Sequence, residues 1–81
     1  MDPPKNINFI SANSLLVINP HGKLKQIFVP FTVKVISPTT ILLVGSWVVV
    51  EEIKTHSIHK LLYRVTGHWW PYNIFLITIK F

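Results

Sequence analysis

Residues that favour helices are nearly missing from this chain. Its 81 residues include one alanine, one methionine, one glutamine and two glutamates. β-Branched and aromatic side chains dominate instead, and these pack best on a pleated, half-buried surface. No window repeats apolar residues at the spacing of a helix face. The chain is therefore expected to be all-β.

Turn signals divide it into short runs. Ser14 to Ile18 is rich in branched residues and reads as a strand. Asn19-Pro20-His21-Gly22 follows as a turn, because proline presets the backbone and glycine tolerates a positive dihedral. Lys23 to Val29 completes a hairpin. Pro30 bends the path. Phe31, Val33 and Val35 then alternate with Thr32 and Lys34, the period of two of a strand with one buried face. Ser37-Pro38-Thr39-Thr40 is the next turn. The apolar stretch Ile41 to Val44 closes on Gly45, which marks a bend, a bulge or a close backbone approach. Ser46 to Ile53 reads as one further strand, with Trp47 and Val49 competing against Val48 and Val50 for the inner face. Lys54 to His59 is the most polar segment and reads as a loop. Leu61, Tyr63 and Val65 alternate again, Gly67-His68 is a tight turn, and Pro71 excludes a central-strand role for its segment. Phe75, Ile77, Ile79 and Phe81 give the cleanest alternation of all. The expected fold is a small five- or six-stranded antiparallel barrel or sandwich over residues 14–81. Residues 1–13, polar and rich in proline and asparagine, form an arm ending at most in a short strand.

Composition limits what such a domain does. There is no cysteine, so no disulfide stabilises a core this small. Hydrophobic residues make up 49% and charged residues only 14%. A monomer of this size cannot easily bury so much apolar surface, so self-association is expected, most simply as a two-fold homodimer. The net charge of +5 favours acidic partners, nucleic acid among them. Met1-Asp2-Pro3-Pro4-Lys5 does not open a secretory signal. The run Ile41 to Val50 is too short to cross a bilayer as a helix, which takes about 20 residues. A cytoplasmic protein with no membrane span is the expectation.

The stretch Val44-Gly45-Ser46-Trp47-Val48-Val49-Val50-Glu51-Glu52-Ile53 resembles the glycine-polar-x-valine-x-valine segment of Src-homology-three-like and Tudor-like small barrels. Leu62 to Gly67, then Trp70-Pro71-Tyr72 to Phe75, is similar in kind to the strand–turn–aromatic–strand ending of small bacterial proteins. The resemblance covers about residues 44–79 and implies a small barrel. Such barrels bind peptides, nucleic acids or partner proteins through aromatics carried on loops. The acidic loop typical of the proline-peptide binders is absent here, which argues against that ligand.

Chemistry needs acids, and this chain has three: Asp2, Glu51 and Glu52. Adjacent carboxylates on a strand face opposite ways, so Glu51 and Glu52 do not make a glycosidase pair. A Ser-His-acid triad lacks a buried acid other than these two, and Gly22, Gly45 and Gly67 are too scattered for a phosphate loop. His56 and His59 have ligand-like spacing, but a structural zinc needs four ligands. Neither an enzyme nor a metal or other cofactor is expected. The densest feature is Trp69-Trp70-Pro71-Tyr72. Successive strand side chains point to opposite faces, so these rings cannot all enter one core. Trp47, Tyr63, Arg64, His68, Trp69, Trp70 and Tyr72 are the candidate binding residues. Exposed rings would anchor a protein partner or a second copy. Alternatively, rings interleaved with bases would hold single-stranded nucleic acid.

Overall fold

In a computed structural model describing residues 6–79, the chain forms nine short strands and one turn of 3-10 helix. Strands β1 (Asn6–Ser11), β2 (Ser14–Ile18) and β3 (Leu24–Phe28) make the first sheet, with β2 in the middle. Strands β4 (Phe31–Val35), β5 (Trp47–Val50) and β9 (Phe75–Leu76) make the second, in the order β5-β4-β9. Strands β6 (Glu52–His56), β7 (Lys60–Val65) and β8 (His68–Pro71) make the third, around β7. Every recorded pairing is antiparallel. The all-β antiparallel class stands. The barrel or sandwich form is met only in part: three small antiparallel sheets surround one core, and none closes into a barrel.

Local chemistry explains each corner. Asn19 is buried, and its Oδ1 accepts hydrogen bonds from the backbone N–H groups of His21 at 3.0 Å and Lys23 at 2.8 Å. That fixes the β2–β3 turn, with Gly22 in the left-handed region at φ +84°. Val29 and Pro30, joined by a cis peptide bond, carry the chain from the first sheet to the second. Thr66 and Gly67 both have positive φ, at 52° and 77°. They make the two-residue turn whose twist matches a hairpin, so the tight turn lies one residue earlier than Gly67-His68.

The segment expected to be one strand from Ser46 to Ile53 is two. Glu51 interrupts it and donates its N–H to the Arg64 carbonyl at 2.8 Å. Before Glu51, Val48 and Val50 face the core; after it, Ile53 does. One extra residue therefore changes the parity of the inner face. It also lets a single run of backbone serve the second and third sheets. The loop expected from Lys54 to His59 shrinks accordingly, because Lys54 to His56 belong to β6.

The two ends of the chain complete the sheets. Part of the N-terminal arm is strand, since β1 pairs along β2 from Asn6↔Ile18 to Ser11↔Ser14. The arm's first five residues lie outside the described residues. The final run buries Phe75, Ile77 and Ile79 in alternation, but only Phe75 and Leu76 ladder against β4. Beyond Leu76 the run forms no further strand, Ile79 making a single isolated β-bridge, and Lys80 and Phe81 lie outside the described residues.

Leu15, Val17, Val33, Val35, Val50 and Val65 anchor the core, with Tyr63 at its centre. A backbone bond ties the first and third sheets together around it, Ile53 N–H to the Ala12 carbonyl at 3.0 Å, while Ile36 N–H to the Ile74 carbonyl at 2.9 Å extends the β4–β9 pairing within the second. Among the described residues no helix is long and apolar enough to cross a membrane.

Candidate interaction surfaces

Directly opposed residues of an antiparallel pair share a face, so the register defines what each sheet shows to its surroundings. On the second sheet, Phe31↔Val50 and Val33↔Val48 face inward. Thr32↔Val49 and Lys34↔Trp47 face outward, joined by Leu76 opposite Lys34. Trp47 keeps 56% of its surface exposed, and Val49 beside it is exposed too. The β4–β5 connection continues this surface. Its hydrogen bonds, Gly45 N–H to the Val35 carbonyl at 2.7 Å and Val35 N–H to the Ser46 carbonyl at 2.9 Å, fold it back on the end of β4. Leu43 and Val44 then project from the turn, with Leu43 79% exposed, and Ile36 and Ile41 are exposed nearby in sequence. Lys34 is the only charged side chain between residues 31 and 50.

The third sheet shows a different face. Ile53↔Tyr63 points inward, and Glu52↔Arg64, Lys54↔Leu62 and His56↔Lys60 point outward. On the other side of β7, Arg64↔Trp69 and Leu62↔Pro71 complete the outer face. Trp69 is half-buried, and the Lys54 ammonium lies 4.3 Å from the centroid of its ring. The attraction of a cation to a ring face fixes that pair across the intervening strand.

The seven candidate residues therefore separate. Arg64 and Trp69 sit together on the outer face of the third sheet. Trp47 stands on the outer face of the second. Trp70, pointing opposite to Trp69, packs against the core, and its Nε1–H donates to the Val65 carbonyl at 3.0 Å. Tyr72, in the 3-10 turn Tyr72–Ile74, packs there as well. His68 is exposed at the start of β8, with its ring edge-on to Trp70 at 6.2 Å.

Tyr63 is core, only 1% exposed. Its ring stacks on Phe75 at 5.9 Å and meets Phe31 edge-on at 5.8 Å. Its hydroxyl is buried with no hydrogen-bond partner. Burial, and to a lesser extent the neighbouring Tyr72, push that hydroxyl well above the usual phenol range.

Sequence reasoning missed Lys54, because a polar segment read as loop is in fact strand. It also missed Ile36, Leu43 and Val44 as surface residues. The signal for them was the length of the apolar run around Gly45, more than one small core could absorb.

His56 and His59 place their rings 4.9 Å apart. His56 Nδ1 accepts the backbone N–H groups of Ile58 and His59, each at 3.1 Å, so that nitrogen is committed to the turn. Glu51 Oε1 accepts the Gly67 N–H at 3.3 Å. Among the described residues no three histidines or acids lie close enough to hold a metal ion. No protein-family model, curated protein or solved structure matches this chain.

Proposed function

We propose that this protein is a non-catalytic interaction module that associates with protein, most simply with a second copy of itself, through the outer face of β5 and the loop at residues 36–46. The observation that carries this reading is the cluster of bare apolar side chains around Trp47. Aromatic anchors dominate interface energetics, and a buried tryptophan removes about 150–250 Å² from water.

Charge permits a second copy at this surface. Each copy carries +5, and two such molecules meet with least repulsion where the only charge is Lys34. Backbone geometry agrees. Strand β5 is an edge of its sheet and is recorded as pairing only with β4. Antiparallel pairing of two β5 edges about a two-fold axis would satisfy their outer N–H and C=O groups and bring Trp47 against the partner's β5.

Sedimentation equilibrium on the wild type and on Trp47→Lys tests this. The expected result is a dimer that becomes monomeric in the variant. A wild type that stays monomeric at high concentration, or a Trp47→Lys chain with unchanged mass and unchanged captured partners, refutes it.

A further inference from the structure

The outer face of the third sheet lies on different strands from the apolar surface around Trp47, and its chemistry is different. Lys54, Lys60 and Arg64 stand on it, with Glu52 as the only carboxylate there among the described residues. The chain's other described acid, Glu51, is engaged with the Gly67 N–H. At one edge of these cations, opposite Arg64 on β7, lies Trp69, whose π-face is turned outward far enough to receive the Lys54 ammonium.

We propose that this face binds single-stranded nucleic acid, with Trp69 stacking on a base and Lys54, Lys60 and Arg64 holding phosphates. Charge complementarity names the partner: three cations against one acid on a sheet face. Lys60 and Arg64 lie on the same strand four residues apart, about 13 Å at the rise of a strand. A sugar–phosphate backbone running along β7 would meet both. Trp69, reaching over from β8, lies beside that path. A sheet face carrying an aromatic ring is a sequence-tolerant platform, because every base has a π-face.

The Lys54–Trp69 pair gives the binding a mechanism. In the free protein the ammonium occupies the ring. A base stacking there displaces it, and the released ammonium sits next to the strand that carried the base, where a phosphate takes it. Binding thus exchanges a cation–π contact for a stack plus an ion pair. The indole of Trp69 should report that exchange directly, while Trp70, held through its Nε1–H by Val65, should stay still.

The experiment is a two-dimensional NMR titration of the full chain with a short oligothymidylate at low and at physiological salt, reading the three indole signals. The expected result is a shift of Trp69 and not of Trp47 or Trp70. Affinity should fall with salt at a logarithmic slope of about −2, the value for three phosphates on a single strand. Trp69→Ala should weaken binding about 5- to 150-fold. Trp69→Phe, which keeps a ring and preserves the fold, should recover part of that loss, and Arg64→Ala should reduce the salt slope by about 0.7. Four outcomes overturn the proposal. They are no binding, binding indifferent to salt, a shift confined to Trp47, and a Trp69 shift produced by phosphatidylserine vesicles but not by the oligonucleotide. The last would assign the face to a membrane.

Discussion

Trp47 and Trp69 occupy equivalent places on two sheets, each outward-facing on an edge strand, and their surroundings are opposite. Trp47 is bare, flanked by Val49 and continued by Leu43 and Val44. Trp69 is half-covered by Lys54 and has Arg64 across the ladder. The inward residues of the two sheets follow one recipe of valine, isoleucine, leucine and aromatics. The difference is written wholly in the outward positions. Alternation lets one sequence specify a common core and two unrelated surfaces at once, because neighbouring residues answer to different environments.

The largest perturbation should erase both surfaces together. Ile53→Ala removes a fully buried side chain beside Tyr63, at a cost of about 2–5 kcal/mol. In a domain this size that is a large part of total stability. Urea denaturation should show a collapsed midpoint, and self-association and oligonucleotide binding should be lost in step.

A smaller change should divide the two. Trp47→Lys should weaken self-association by at least tenfold, about 1.4 kcal/mol, and leave the Trp69 indole and its salt-dependent titration untouched. Sedimentation and NMR on one sample check this. Loss of both activities would mean that the two faces are one surface.

Tyr63 offers a change that touches neither face. Its hydroxyl is buried without a partner, so Tyr63→Phe should raise stability by about 1 kcal/mol, read as a higher urea midpoint. The pH dependence has a definite sign. The ordinary phenol value is 10.0, and burial raises it in the folded chain. Below the ordinary value both states hold the proton, and the stability contribution is complete. Above it the unfolded chain gives up the proton first, so stability falls as pH rises towards the folded value, by about 1.4 kcal/mol per pH unit. The Tyr63→Phe chain should lack this component of the alkaline decline.

The smallest effect separates strain from charge. Lys60 holds a positive φ of 66° at the end of the β6–β7 turn, a conformation that costs a non-glycine residue about 1 kcal/mol or more. Lys60→Gly should relieve that strain and shift the thermal midpoint up by a few degrees. It should also reduce the salt slope of oligonucleotide binding. Unchanged salt dependence would remove Lys60 from the phosphate path.

Much of this architecture was legible in the residues. Ser14 to Ile18 and the Asn19-Pro20-His21-Gly22 turn are where the pattern puts them, because both depend on local chemistry. So is Phe31 to Val35, whose alternation matches its burial. Pro71 does sit on an edge strand, where its missing donor costs nothing. What was not legible depends on partners distant in sequence. Glu51 looks like any strand residue until its N–H is seen to meet Arg64. Lys54 looks like loop until Leu62 is seen opposite it. The apparent density of Trp69-Trp70-Pro71-Tyr72 also misled. Alternation sends Trp70 towards the core, so the segment is one surface ring and two packing rings rather than one exposed cluster.

The corner at Glu51 has a consequence for the breathing motions of the molecule. Because β5 and β6 are one run with a single-residue joint, and the joint's amide is held by β7, the second and third sheets cannot open one after the other. Releasing either must pull on the same peptide group. Amide exchange should therefore group Val33, Val50, Ile53 and Tyr63 into one slowly exchanging unit. The first sheet is joined to it through Val29-Pro30 and the Ile53 N–H to Ala12 bond, and its outer strand β3 should exchange first.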